Sequence, residues 1–200
     1  MKEEAISIIS DNAEVIVDSL IENEILKEIP VIGTSINIIK AVNSIRDNAY
    51  LNKVKRFLEH LGEFTEEQRQ RLAEESRKDK KRRTRFGESL FSTIEQSDSL
   101  SKIDYLACAF ESFLNSEIDD HELRHICHAI KTAFCDELKE IIETENVPPQ
   151  ILLKHNISSG LAIAIYKKPI WDQKDTEPEY EITSMTVKLR YAWSKYKMEN

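Results

Sequence analysis

Apolar residues recur at helical spacing along most of the chain. Ile6, Ile9, Ala13, Ile16, Val17, Leu20 and Ile21 fall three and four apart, which predicts a first helix running on to Leu26. Pro30 interrupts it and suits the first turn of a second helix, because its missing amide donor is unused there. That helix carries Ile36, Ile39, Val42, Ile45, Ala49, Val54, Phe57 and Leu61, and Gly62 ends it. Thr65 with Gln68 three residues on is a capping-box start for a third helix, Glu66–Arg77. A fourth is predicted over Arg83–Gln96, with Phe86, Leu90, Phe91 and Ile94 inward. A fifth, capped by Ser101, carries Tyr105, Leu106, Ala109, Phe110, Phe113 and Leu114. Asp119 and Asp120 cap a sixth that runs to about Thr144, with Leu123, Ile126, Cys127, Ile130, Phe134, Leu138 and Ile141 on one face.

The texture changes after Asn146-Val-Pro-Pro. Pro148–His155 reads as a short helix and Leu161–Tyr166 as a strand. Tyr180–Thr183 reads as a second strand, and Thr183 or Ser184 caps a last helix from Met185 to about Tyr196. The expected fold class is mainly α: a bundle of about six helices over 1–146, followed by a small winged-helix-like α+β unit over 147–200.

Composition narrows the chemistry. The four glycines, at 33, 62, 87 and 160, are too far apart for a dinucleotide-binding turn or a phosphate loop. No GxSxG is present, which excludes the usual nucleophile elbow. Cys108, Cys127 and Cys135 are an odd number without a CxxC, so neither a disulfide framework nor a zinc ribbon is indicated. Met1–Ser10 is acidic and mixed, unlike a secretory leader. The expectation is a cytoplasmic protein with reduced thiols and no cofactor.

Charge is sorted along the chain. The net charge is −8, yet residues 77–85 hold seven basic groups and one acidic. Arg77, Lys78, Lys80, Lys81, Arg82, Arg83 and Arg85 form a candidate surface for nucleic acid or for an acidic partner. Residues 86–150 hold fourteen acidic groups against four basic, which argues against coating nucleic acid by charge alone.

Three further groups could carry function. His121, His125 and His128 share one helix face, opposite the apolar stripe, and form a candidate metal set with Cys135 near the same line. Trp171, Tyr180, Tyr191, Trp193 and Tyr196 crowd the C-terminal unit as candidate partner contacts. Arg56–His60 and Arg124–His128 resemble, at a shorter spacing, the arginine–histidine pairs of HEPN ribonucleases, in which arginine steadies phosphate charge and histidine moves the proton. Ile29–Ile45 is amphipathic and could perturb a bilayer.

Two stretches carry a family resemblance. They are EIPVIGTSINIIKAVNSIRDNAYLNKVKRFL at Glu28–Leu58 and RFGESLFSTIEQSDSLSKIDYLACAFESFLNSEIDDHELRHICHAI at Arg85–Ile130. With Ser159-Gly160-Leu161 and Tyr180–Thr183, they resemble bacterial helical-bundle proteins with an IPxxGT…SIRD…RxGE pattern, of the kind found in anti-phage and abortive-infection loci. The resemblance implies a setting in a multi-protein defence system, with protein partners from the same operon. Missing catalytic spacing, segregated charge and clustered C-terminal aromatics make a non-enzymatic interaction or adaptor subunit the leading expectation. Nucleic-acid binding through 77–85 and the C-terminal unit, membrane perturbation through 29–45, and HEPN-like ribonuclease action are the alternatives.

Overall fold

The computed structural model describes residues 45–77, 80–166 and 177–199, with backbone alone at 45–48, 76, 80–85 and 199. The first predicted helix and the 29–44 stretch lie outside these residues. Among the described residues are eight helices and one two-stranded sheet. They run α1 (Ile45–Leu61), α2 (Glu66–Arg77), α3 (Lys80–Gln96), α4 (Leu100–Leu114), α5 (Asp120–Thr132), α6 (Cys135–Glu143), α7 (Gln150–His155), β1 (Ala162–Ile165), β2 (Glu179–Ile182) and α8 (Ser184–Glu199). The fold is a helical bundle with a small α+β unit near its C-terminal end.

Local chemistry sets the helix ends. Gly62, at φ +58°, takes a left-handed conformation after α1 that other residues adopt at a cost. The capping box of α2 is complete: Gln68 N–H donates to Thr65 Oγ1 at 3.3 Å, and Thr65 N–H donates to Gln68 Oε1 at 2.9 Å. Asp119 closes a second box with Glu122 at the start of α5.

Helix α4 is buried at eleven of its fifteen positions, and it is the central helix. It packs against α1, α2, α5, α6 and α8. Phe57, Phe86, Phe110 and Phe113 interlock beside it, with ring centroids 5.1 to 6.3 Å apart. The same core continues into Leu152, Leu161 and Leu189, so the C-terminal unit closes onto the bundle. Helix α8 lies back across α4, α5 and α6.

Several expectations need correction. Helix α3 begins at Lys80, three residues before the predicted start. Ser99, not Ser101, caps α4: its backbone is extended and its Oγ accepts from Lys102 N–H. The long helix predicted over 119–144 is two helices. Ala133 and Phe134 are extended between α5 and α6. The buried Lys102 ammonium donates to the Ala133 carbonyl at 2.6 Å, taking the acceptor that a continuous helix would give to the amide of residue 137. Lys102 also pairs with Asp98 at 3.1 Å. The break turns Phe134 outward, to 75 % exposure, while Leu138, Ile141 and Ile142 remain buried. Cys135 leaves the histidine line and its Sγ shares a hydrogen bond with Ser99 Oγ at 2.9 Å.

The hairpin is antiparallel, with Ala162 opposite Ile182 and Ile165 opposite Glu179. Gln150 of α7 covers the edge of β2. Its side-chain amide donates to the Tyr180 carbonyl at 3.0 Å and accepts from Tyr180 N–H at 2.8 Å.

Candidate functional site

The densest group of chemically capable side chains lies between α1, α4 and α8. Arg56 and His60 stand one turn apart on α1, and Asp104 and Cys108 one turn apart on α4. Packing α1 on α4 interleaves the two pairs. Arg56 holds Asp104 with both ends of its guanidinium, Nε to Oδ1 at 2.8 Å and Nη2 to Oδ2 at 3.1 Å. His60 Nδ1 stands 3.8 Å from Asp104 Oδ1, and His60 Nε2 is 3.3 Å from Cys108 Sγ. Tyr196 of α8 closes the group, its ring stacked on His60 with centroids 3.9 Å apart.

Thiol, imidazole and carboxylate in this order are the parts of a cysteine-nucleophile centre. Their surroundings oppose that chemistry. Burial pushes the Cys108 thiol well above its ordinary range, and the nearby Glu111 and Asp104 carboxylates push it further. A nucleophilic cysteine needs the reverse shift and an open approach. Cys108 is 2 % exposed and the His60 side chain likewise 2 %. Burial also raises the Asp104 carboxyl, but the His60 contact and the bonded Arg56 guanidinium outweigh it and hold the group below its ordinary value. The result is a satisfied polar seam that fastens α1, α4 and α8.

The arginines of both arginine–histidine pairs are engaged within the fold. Arg56 is committed to Asp104, and His60 is shut beneath Tyr196. Arg124 folds back on its own first turn, with Nε donating to the Asp120 carbonyl at 3.1 Å.

The histidine face of α5 is exposed at His121, His125 and His128, as its position opposite the apolar stripe predicts. His121 and His125 meet, with Nε2 atoms 3.2 Å apart. His128 does not complete the predicted trio. Among the described residues no group of three or more His, Cys, Asp or Glu is placed to hold a metal ion.

The C-terminal aromatics divide. Trp193 sits edge-on to Tyr105 at 4.7 Å and packs against the core, Tyr196 is half-buried against His60 and Trp193, and Tyr191 is exposed. Tyr180 is half-buried on the hairpin, and Trp171 lies outside the described residues. The basic run spans the end of α2 and the start of α3. Arg77 is exposed, and the side chains of 78–85 fall outside the description. No described helix is long and apolar enough to cross a membrane.

Sequence reasoning reached Arg56, His60 and Tyr196 but missed Asp104 and Cys108. The available signal was two polar groups at a four-residue spacing on the side of α4 facing another helix. On α1 the run Asn48, Asn52, Arg56 and His60 and the pair Lys55 and Glu59 show the same spacing, so the spacing alone did not single them out.

No protein-family model matches the chain, and no curated protein or solved structure matches it either.

Proposed function

We propose that the chain is a non-enzymatic interaction subunit that offers the α7–β1 end of its bundle to a protein partner. One observation carries this reading. Val147 (81 % exposed), Ile151 (60 %), Ile157 (40 %), Ile163 (52 %) and Tyr166 (51 %) place five large apolar side chains in water within one short segment. Concentrated exposed apolar surface marks an interaction site more often than scattered single residues do. Covering such side chains contributes roughly 1.5–3 kcal/mol each when burial is full. The closed state of the Cys108–His60–Asp104 seam supports the same reading, since the side chains best suited to bond chemistry are committed to holding helices together.

The resemblance to helical proteins of anti-phage and abortive-infection loci supplies the setting, with a partner encoded in the same operon. Site-specific photo-crosslinking in bacterial cells carrying that operon tests the reading. A photoreactive phenylalanine analogue at position 151 or 163 is expected to give one discrete adduct with a protein of the operon. The same analogue at position 55, on the exposed side of α1, is expected to give none. Equal labelling from both sides, or no adduct from 151 and 163, would overturn the proposal.

A further inference from the structure

The exposed imidazoles of α5 play no part in the proposed function, and their geometry is specific. His121 and His125 lie one turn apart and turn toward each other, with ring centroids 4.4 Å apart and planes inclined by 52°. Their Nε2 atoms are separated by 3.2 Å. With metal–nitrogen bonds of about 2.0–2.1 Å, two adjacent ligands stand about 3.4 Å apart on a tetrahedral ion and about 2.9 Å apart on an octahedral one. The observed separation lies between these values. Without a metal, one proton shared between the two nitrogens satisfies the pair. When a divalent ion binds, the donor ring shifts its proton from Nε2 to its own Nδ1, so both imidazoles stay neutral and each gives the ion an Nε2 lone pair.

The surrounding charges favour a cation. Asp119 keeps its carboxylate ionised, chiefly through the Glu122 backbone N–H, and interacts with His121. Two neighbouring cations are each paired with a carboxylate: Lys188 holds Glu122 at 2.6 Å and also acts on Asp119, and Arg124 holds Asp120 at 3.4 Å. Both imidazoles are exposed, so an ion from solution reaches them without any movement of the fold.

We propose that His121 and His125 form a two-imidazole site for a divalent transition-metal ion, with water filling its remaining positions. Two protein ligands leave an open coordination shell, so the site is exchangeable and distinct from the closed four-ligand sites that hold small domains together. Imidazole ligation favours Cu²⁺, Ni²⁺ and Zn²⁺ over Mg²⁺.

Calorimetric titration of the untagged full-length protein with Ni²⁺ tests the site. One equivalent is expected to bind to the wild type and to His128→Ala, His155→Ala and Cys135→Ser alike, with no response to Mg²⁺. Either His121→Ala or His125→Ala is expected to weaken binding by about a hundredfold, because the second imidazole then no longer acts within the same molecule. X-ray absorption of the loaded protein is expected to show two imidazoles and no sulfur around the metal. Absence of binding, binding that survives the double alanine variant, or binding lost in Cys135→Ser would overturn the proposal.

Discussion

The polar seam between α1, α4 and α8 and the apolar end formed by α7 and β1 invert the usual distribution of side chains. In the seam, a thiol, an imidazole, a carboxylate and a guanidinium are drawn together, and the thiol and imidazole are closed off from water. At the α7–β1 end, isoleucines face water. The contrast teaches that residue type alone does not identify a working site. A buried polar group that has found its partners stabilises a helix junction, whereas an apolar group left outside retains binding energy that a partner can use.

The sharpest way to break this comparison lies within one helix. Trp193 and Tyr191 are two residues apart on α8, one packed on the core and the other in water. Trp193→Ala is expected to lower unfolding free energy by about 3 kcal/mol, the scale of truncating a core aromatic. Tyr191→Ala is expected to change it by less than about 0.5 kcal/mol. Urea unfolding of both variants measures the difference, and equal losses would mean that α8 does not lie on the bundle as described.

Asp104→Asn probes the seam next. Removing the carboxylate that Arg56 grips is expected to cost about 1–2 kcal/mol at neutral pH, the scale of a charged hydrogen bond partly open to solvent. The folded-state pKa of Asp104 is depressed, so its contribution is present above the unfolded value of 3.8 and is lost as pH falls through the lower folded value. Denaturant midpoints below pH 4 should therefore fall less steeply for the variant than for the wild type. The depressed Asp119 carboxyl leaves part of that slope in both proteins.

Smaller effects are expected at the apolar end. Ile163→Ser should alter unfolding free energy by less than about 0.5 kcal/mol while abolishing the crosslinked adduct formed from position 151. Loss of both together would make Ile163 a folding residue and dissolve the contrast. Thiol titration at pH 8 needs no substitution. Cys135 is partly exposed, whereas Cys108 and Cys127 are buried, and burial pushes the Cys127 thiol up to about 11. One thiol per chain is expected to react in the folded state and three after unfolding.

Much of the fold was legible because local signals were strong. The Thr65–Gln68 box, Gly62 and the Asp119 cap each fix a helix end through nearby backbone atoms. The two strands and the Thr183 cap of α8 fall within a residue of their predicted places. The break at Ala133–Phe134 was not legible. Apolar periodicity continues across it, and the group that ends α5 is a lysine on another helix, thirty-one residues away. The candidate site was half legible. Arg56 and His60 share a face of α1 by spacing alone, but Asp104 and Cys108 meet them only when α4 packs alongside.

The chain by itself determined the locally capped helix ends, which faces are apolar, and that glycine-dependent nucleotide loops are absent, because these depend on residues within a few positions of one another. Packing decided the rest: that Lys102 splits a predicted helix, that Tyr196 covers His60, and that Trp193 turns inward while Tyr191 does not. Burial and partner distance are properties of several segments at once, and those properties set whether a side chain reacts, binds or holds the fold together.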